Sequence, residues 1–423
     1  MNKIKQLSQH PFIRGSMIFT IATFVVNVLS YIFNLLIARG MSLTQYGEYS
    51  SSISYLSLLA VPFGTLSLII IKKVGTVPTN SRAKYLLTFE NKFFQFVKKY
   101  TVALMILSFI AILLMTTRGN LQLNTSLFVI LAIWSTLFFT FYGSILLALK
   151  EFWQSGVIQV LQGILKVVLG VLVILLIPRL DLLYASLLLS TILGIYLAKK
   201  SLPQNSSFSK EVKIPNMKNV ILNLEYYLPL ITSLGTIGMI NIDLILVKKF
   251  FPTDEVGFYA AISLLGKIIL YVSTPITAVA YTFFTGQENI TQKNKIFVLS
   301  AGGLVIVGLV SIMGYSLFAQ LIVSIIFGNK FSTIHAMLTL AAIFGSVYSL
   351  MSIFSQYLLS VRSKFAMTSL ITFIMQVLLI YRYHENFIQI LYINIFCTIV
   401  LFFIYALVWA RISGVFSVYG KNQ

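Results

Sequence analysis

LTQYGEYS at 43–50 returns as TDEVGFYA at 253–260, about 210 residues later, so that Gly47 falls on Gly257 and Tyr49 on Tyr259. Each copy sits in a short link between two long apolar stretches. A repeat of about half the chain length describes two similar halves, and it directs attention to whatever lies between them.

The 423 residues are 58% hydrophobic and 10% charged, with a mean hydropathy of +0.91. A soluble domain of this size carries roughly a quarter of charged residues. Apolar runs of about 18–25 residues recur from end to end, each long enough to cross about 30 Å of hydrocarbon. The chain therefore reads as an all-α polytopic membrane protein. About twelve spans centre on 16–38, 47–71, 99–116, 127–148, 156–177, 180–198, 220–246, 257–281, 296–316, 335–360, 365–381 and 388–410. No small-residue cleavage site follows the first, which reads as a retained helix. Cys397 stands alone in the last span, and His10, His335 and His384 are scattered. Neither a disulfide framework nor a metal cluster is expected, and no cofactor.

The net charge of +20 invites a nucleic-acid reading, but topology explains it better. With a cytoplasmic N-terminus, the inner segments hold Lys3, Lys5, Arg14, Lys72, Lys73, Arg82, Lys84, Lys92, Lys98 and Lys99, and further lysines and arginines through Lys421. The outer segments hold Arg39, Arg118, Arg179, Lys248, Lys249, Lys330 and Arg382, a bias of about three to one toward the inside. Both termini then lie in the cytoplasm, and no nucleic acid is an expected partner.

The longest inner segments, 72–98 and 199–219, read as loops, and SLPQNSSFSKEVKIP in the second reads as the linker between halves. The expected organisation is an N-terminal six-helix lobe at 1–200, a cytoplasmic linker at 201–219 and a C-terminal six-helix lobe at 220–423. Six spans per half put both halves in the same orientation, so their pseudo-two-fold axis should run along the membrane normal. Pro62 and Pro275 lie at similar depths in spans 2 and 8, where each is expected to bend its helix. LLALKEF, entering span 5, resembles LLSVRSKF, entering span 11. Outer loops are short, the largest near 318–334, and no loop could fold into a catalytic domain. The chain is not expected to be an enzyme.

Span 8 carries the sharpest polar signal. Tyr259, Ser263, Lys267, Tyr271, Thr274 and Tyr281 share one helical face. Lys267 lies about ten residues in from Gly257, roughly 15 Å at helical rise and near mid-membrane. A cation there costs several kcal/mol unless it meets water, a partner or a ligand, and it is too central to snorkel easily. Span 5 repeats the pattern with Ser155, Gln159, Gln162 and Lys166, against the alternative of a polar seam between helices. Span 7 offers Ser233, Thr236, Ile240 and Asp243, with Glu225 nearer the cytoplasm and Pro229 interrupting the helix. Asp243 fits a structural salt bridge with Lys267, Lys166 or Arg39 as well as it fits contact with a substrate or ion. In span 1, Asn27, Tyr31 and Asn34 align, and Arg39 at its outer end reads more readily as an interfacial anchor than as a ligand. Ser50, Ser54 and Ser57 form a weak stripe in span 2. The charge on these faces is more cationic than anionic, which suits a phosphate or diphosphate head group.

ARGMSLTQYGEYS after span 1, NIDLILVKKFFPTDEVGFYAAISLLGK across spans 7 and 8, and IIFGNKFSTIHAMLTLAAIFG before span 10 resemble segments of the Wzx-type polysaccharide flippases of the MOP exporter superfamily. The resemblance covers almost the whole chain, though its motifs are degenerate. It implies a MATE/MOP-like fold: two six-helix lobes in a V around a lumen lined by bent helices 1, 2, 7 and 8. It further implies that an undecaprenyl-diphosphate-linked oligosaccharide is turned from the cytoplasmic to the outer leaflet of the bacterial cytoplasmic membrane by alternating access. Such transport serves O-antigen, capsule or exopolysaccharide synthesis, with a polysaccharide polymerase and glycosyltransferases as partners. The matching positions are Asp243 and Lys267, the latter beside Ser263, and Lys166 adds to a cationic lumen. The lipid II flippase branch usually has two further helices and more lumen arginines, and this chain departs on both counts.

Two other functions compete. A MATE-type cation-coupled exporter wants a carboxylate in a lobe interior, and the N-terminal half has only Glu48, Glu90, Glu151 and Asp181, at span ends or in loops. Asp243 or Glu225 could still couple. A membrane glycan polymerase or glycosyltransferase needs a sizeable outer loop with acidic or arginine residues. Here the only paired acids beside a basic cluster are Asp254 and Glu255 near Lys248 and Lys249, which read as a solvated turn.

Overall fold

The computed structural model describes residues 11–75, 77, 82–202, 224–286 and 289–413, and every regular element among them is helical. The chain runs α1 (Pro11–Gly40), α2 (Leu43–Leu59), α3 (Val61–Gly75), α4 (Arg82–Lys99), α5 (Thr101–Thr117), α6 (Leu123–Ala148), α7 (Phe152–Leu176) and α8 (Leu180–Lys200). It continues with α9 (Leu224–Phe250), α10 (Thr253–Gly286), α11 (Ile290–Leu317) and α12 (Ala319–Ile326). A 3₁₀ segment (Asn329–Met337), α13 (Leu338–Ser360), a short 3₁₀ turn (Lys364–Met367), α14 (Thr368–Arg382) and α15 (Phe387–Ile412) complete it. Among the described residues, ten helices are long and apolar enough to cross a membrane, or up to twelve when each of two bent pairs counts as one span. The linker expected at 201–219 falls almost entirely outside the described residues.

The bent pairs have local causes. The α2–α3 pair turns by 42° at a break beside Pro62, whose ring cannot donate to the preceding turn. Pro275 and Pro229 behave differently. Each lies inside a helix that continues through it, α10 and α9, so Pro229 does not interrupt span 7 as its residue type suggested. One missing hydrogen bond is tolerated where neighbouring helices hold both sides. The α4–α5 pair turns by 60° at Tyr100. Here the expected loop at 72–98 is corrected, because α4 occupies much of it. Tyr85, Phe89 and Phe93 recur every fourth residue and make one aromatic stripe. Phe93 stacks on Phe141 of α6 with centroids 4.0 Å apart, and this contact converts a polar-looking segment into a docked amphipathic helix.

The chain divides into two compact units. The first holds Met1–Phe33 and Leu59–Tyr227, and the second Asn34–Leu58 and Leu228–Gln423. In the first, an aromatic core on α4 and α6 is closed by Glu90, which accepts from Tyr142 Oη at 2.7 Å and pairs with Lys199 at 3.7 Å. In the second, Phe297 stacks on Trp409 at 4.7 Å beside Phe354.

The internal repeat is written in the backbone as well. Lys150 and Arg362, about 212 residues apart, both have left-handed backbones, with φ of 65° and 54°. Each closes its helix with the same bonds. Glu151 N reaches Leu146 O at 3.0 Å and Ser363 N reaches Leu358 O at 2.9 Å, while Lys150 N and Arg362 N reach Leu147 O and Leu359 O. Both are six-to-one helix-ending turns, made by basic residues where glycine is the usual choice. The glycines of the sequence repeat meet one another inside the second unit. A methyl group on Gly47 would lie 2.9 Å from Gly257 N, and one on Gly257 would strike the Leu43 carbonyl. Glycine recurs there because α2 and α10 cross backbone to backbone.

Candidate functional site

In the second unit, Lys267 projects from α10 and is half-buried, with its Nζ 3.3 Å from Asn241 Oδ1 on α9. It makes no ion pair with Asp243. That carboxylate is only 1% exposed and is taken up by three other donors. Tyr259 Oη donates to Oδ2 at 2.8 Å, Asn394 Nδ2 to the same oxygen at 3.1 Å, and the Leu244 backbone N–H to Oδ1 at 2.7 Å. Behind it, Gln376 Nε2 donates to Asn394 Oδ1 at 2.7 Å and to Met239 O at 3.0 Å. Of the two readings of Asp243, a salt bridge or contact with a substrate or ion, the first is not made at ion-pair distance, and neutral donors hold the carboxylate. A buried carboxylate that accepts several good donors has its lone pairs satisfied by them. The lysine instead meets a neutral amide.

The other candidates of this unit are dispersed around that pair. Ser263 is buried one turn before Lys267, and its Oγ has no hydrogen-bond partner. Tyr271 is half-buried one turn after it. Thr236 on α9 donates to Thr232 O at 3.0 Å, while its own carbonyl receives Tyr348 Oη at 2.7 Å. Asn34 is half-buried in the last turns of α1. Arg39 is exposed and caps α12, with Nε 2.8 Å from Ile326 O and a second nitrogen on Ile325 O. A guanidinium at a helix C-terminus satisfies orphan carbonyls and opposes the helix dipole. Arg39 is held there as a cap.

The first unit holds Lys166 and Gln162. Lys166 Nζ donates to Ser30 Oγ at 2.8 Å and lies 5.4 Å from the centre of the Phe33 ring. Gln162 Nε2 reaches Thr191 Oγ1 at 3.3 Å. The side chain of Glu225 lies outside the described residues. The ten candidates therefore do not converge on one constellation within either unit.

Sequence reasoning missed the shortest ion pair among the described residues. Glu48 and Lys248 form an ion pair at 2.7 Å, each only 2% exposed. Glu48 was expected at a span end, and Lys248 in a solvated turn. Both instead lie in helices, one residue from Gly47 and two from the end of α9, and the glycine crossing brings those ends together. Lys330 Nζ donates to Met41 O at 2.6 Å, and Tyr46 meets Phe331 edge-on at 6.1 Å. The buried amides Asn394 and Gln376 were also missed, although each is an isolated polar residue in an apolar run and so carried a signal.

No family model matches the sequence, and no curated protein matches it either. Solved structures do. A lipid II flippase, MurJ, in an inward closed conformation superposes with a TM-score of 0.71 at 14% identity, covering 96% of this chain and 93% of that one. The chain has the MOP-type fold. A MATE transporter from Vibrio cholerae matches with a TM-score of 0.62 at 13% identity, over 97% of this chain and 98% of that one. A MOP superfamily transporter from Pyrococcus furiosus matches with a TM-score of 0.62 at 15% identity, over 96% and 97%. The MOP-type fold runs over nearly the whole length of each.

Proposed function

We propose that this chain is a MOP-type flippase that carries an undecaprenyl-diphosphate-linked oligosaccharide from the cytoplasmic to the outer leaflet by alternating access, for surface polysaccharide synthesis. The observation that carries this reading is Lys267. It is a cation in a membrane-crossing helix, about 21 Å at helical rise from the helix start at Thr253, whose hydrogen-bond partner is a neutral amide while Asp243 is occupied by other donors. A cation in such a place costs free energy unless an anion visits it. A diphosphate head group is such an anion. Lys166, held by Ser30 and an aromatic face, supplies a second and weaker cation in the first unit.

Lys267→Ala should abolish surface glycan in cells lacking the wild-type gene, with the lipid-linked glycan accumulating at the cytoplasmic face and the protein still present in the membrane. Lys267→Arg should retain part of the export. Normal glycan export by a well-expressed Lys267→Ala protein would sink the proposal.

Asp243 favours a second reading, a MATE-type cation-coupled exporter, since it is a carboxylate buried inside a lobe. In that case Asp243→Asn should abolish proton- or sodium-driven efflux of organic cations. For a flippase, Asp243→Asn should leave organic cations unbound before and after.

A further inference from the structure

The two units each contain a cavity with hydroxyl groups on its wall, and the internal repeat places both at the same point of the fold. In the second unit a cavity of about 240 Å³ opens between α9, α10 and α13, with Thr277, Ser352, Ser355 and Gln356 on its wall. In the first, a cavity of about 180 Å³ has Ser67, Thr140, Gly143 and Ser144 on its wall. The repeat offset of about 210 residues carries Ser67 onto Thr277. The offset of about 212 set by the Lys150 and Arg362 turns carries Thr140, Gly143 and Ser144 onto Ser352, Ser355 and Gln356.

The twins differ in what they leave open. In the first, Ser144 Oγ and Ser67 Oγ bond to each other at 2.7 Å and close the seam between α3 and α6. In the second, the matching pair is not joined. Thr277 Oγ1 donates to Thr274 O at 2.9 Å, and the Gln356 amide has no hydrogen-bond partner among the described residues. Tyr348 Oη, also on this wall, donates across to Thr236 O on α9 at 2.7 Å, and several other hydroxyls donate to carbonyls of their own helices. Ser273 reaches Ile269 O at 2.7 Å, Thr274 reaches Leu270 O at 2.8 Å and Ser352 reaches Ser349 O at 2.7 Å. These donors are spent, and their oxygens keep acceptor capacity. The residues lining the cavity include no acid and no base.

A surface of acceptors with one free amide and no charge does not suit a phosphate, and an apolar group would leave its oxygens dry. It suits a neutral group with many O–H donors. The volume is on the order of eight waters at liquid density, enough for more than ordered solvent alone. We propose that this cavity is a sugar subsite: it holds a neutral polyhydroxyl unit of the cargo while the diphosphate sits at Lys267. Lys267 and Thr274 lie seven residues apart on α10, about 10 Å at helical rise, so both can be reached from one head group. The proposal rests on the flippase reading, and it adds that the second unit alone discriminates sugar.

The test uses the full-length protein in nanodiscs, titrated with undecaprenyl diphosphate and with the same lipid bearing one neutral sugar. The wild type should bind the sugar-bearing lipid about tenfold more tightly, the worth of one or two neutral hydrogen bonds. Gln356→Leu, and Ser352→Leu which fills the cavity, should bring the two lipids to equal affinity with the bare lipid unchanged. Ser144→Ala in the twin cavity should keep the preference. Equal binding of both lipids by the wild type, or a preference that survives in both cavity variants, overturns the sugar subsite and leaves the flippase reading intact. A bare-lipid affinity that does not fall in Lys267→Ala overturns the flippase reading itself.

Discussion

Two lysines in comparable helical settings meet different surroundings. Lys166 in the first unit is settled, with a serine hydroxyl at 2.8 Å and the face of Phe33 over its ammonium. Lys267 in the second has one long bond to a neutral amide, beside a carboxylate that other donors have claimed. The cavities repeat the contrast, since Ser67 and Ser144 close one and Gln356 stays open in the other. The two units thus share the same helix-ending turns, while they differ in what meets Lys166 and Lys267 and in how their cavities are closed. Function in a duplicated fold is to be sought where the copies stop matching.

The largest effect that could break this contrast lies at the buried ion pair of the second unit. Glu48→Ala leaves Lys248 buried and unpaired, and should cost about 3–5 kcal/mol in reversible unfolding of the nanodisc-embedded protein. Glu48→Gln combined with Lys248→Met should recover most of that loss. Equal stability of Glu48→Ala and wild type would mean the pair contributes nothing.

A middle-sized effect separates two glycines. Gly257→Ala drives a methyl group into the Leu43 carbonyl and should destabilise by roughly 1–3 kcal/mol, whereas Gly64 has nothing within 4 Å of the same added atom. Gly64→Ala should therefore be neutral or stabilising by up to about 1 kcal/mol through helix propensity. Melting curves of the two variants that moved together would refute the close crossing.

The smallest effect sharpens the part that does match. Lys150→Gly and Arg362→Gly each relieve a left-handed backbone at the end of a helix, and each should stabilise by about half a kcal/mol. The two shifts should agree. A gain at one turn and a loss at the other would mean that the repeat is not conformational.

Much of this architecture was legible because hydropathy is a local property. Twelve apolar segments announce themselves one at a time, and so do the proline at the α2–α3 bend and the polar stripe of α10. The loop expected at 72–98 failed for the opposite reason. Its charged residues hid Tyr85, Phe89 and Phe93, whose value depends on Phe141 lying opposite. The candidate residues were recognisable as polar groups in apolar helices, but their partners were not. Arg39 is a helix cap because α12 ends beside it, and Asp243 is hydrogen-bonded because Asn394, 151 residues away, folds back to it.

By itself, then, the sequence determined the membrane class, about a dozen apolar segments and the Gly47–Gly257 repeat, all of which follow from composition and spacing along the chain. Only the tertiary structure decided which charges are neutralised. Glu48 with Lys248, Asp243 with Tyr259 and Asn394, and Gly47 against Gly257 are pairings that helix crossings make, mostly across more than a hundred residues. In hydrocarbon no water can complete a polar group, so the partner that folding delivers fixes whether a buried charge is scaffold or is left for a ligand.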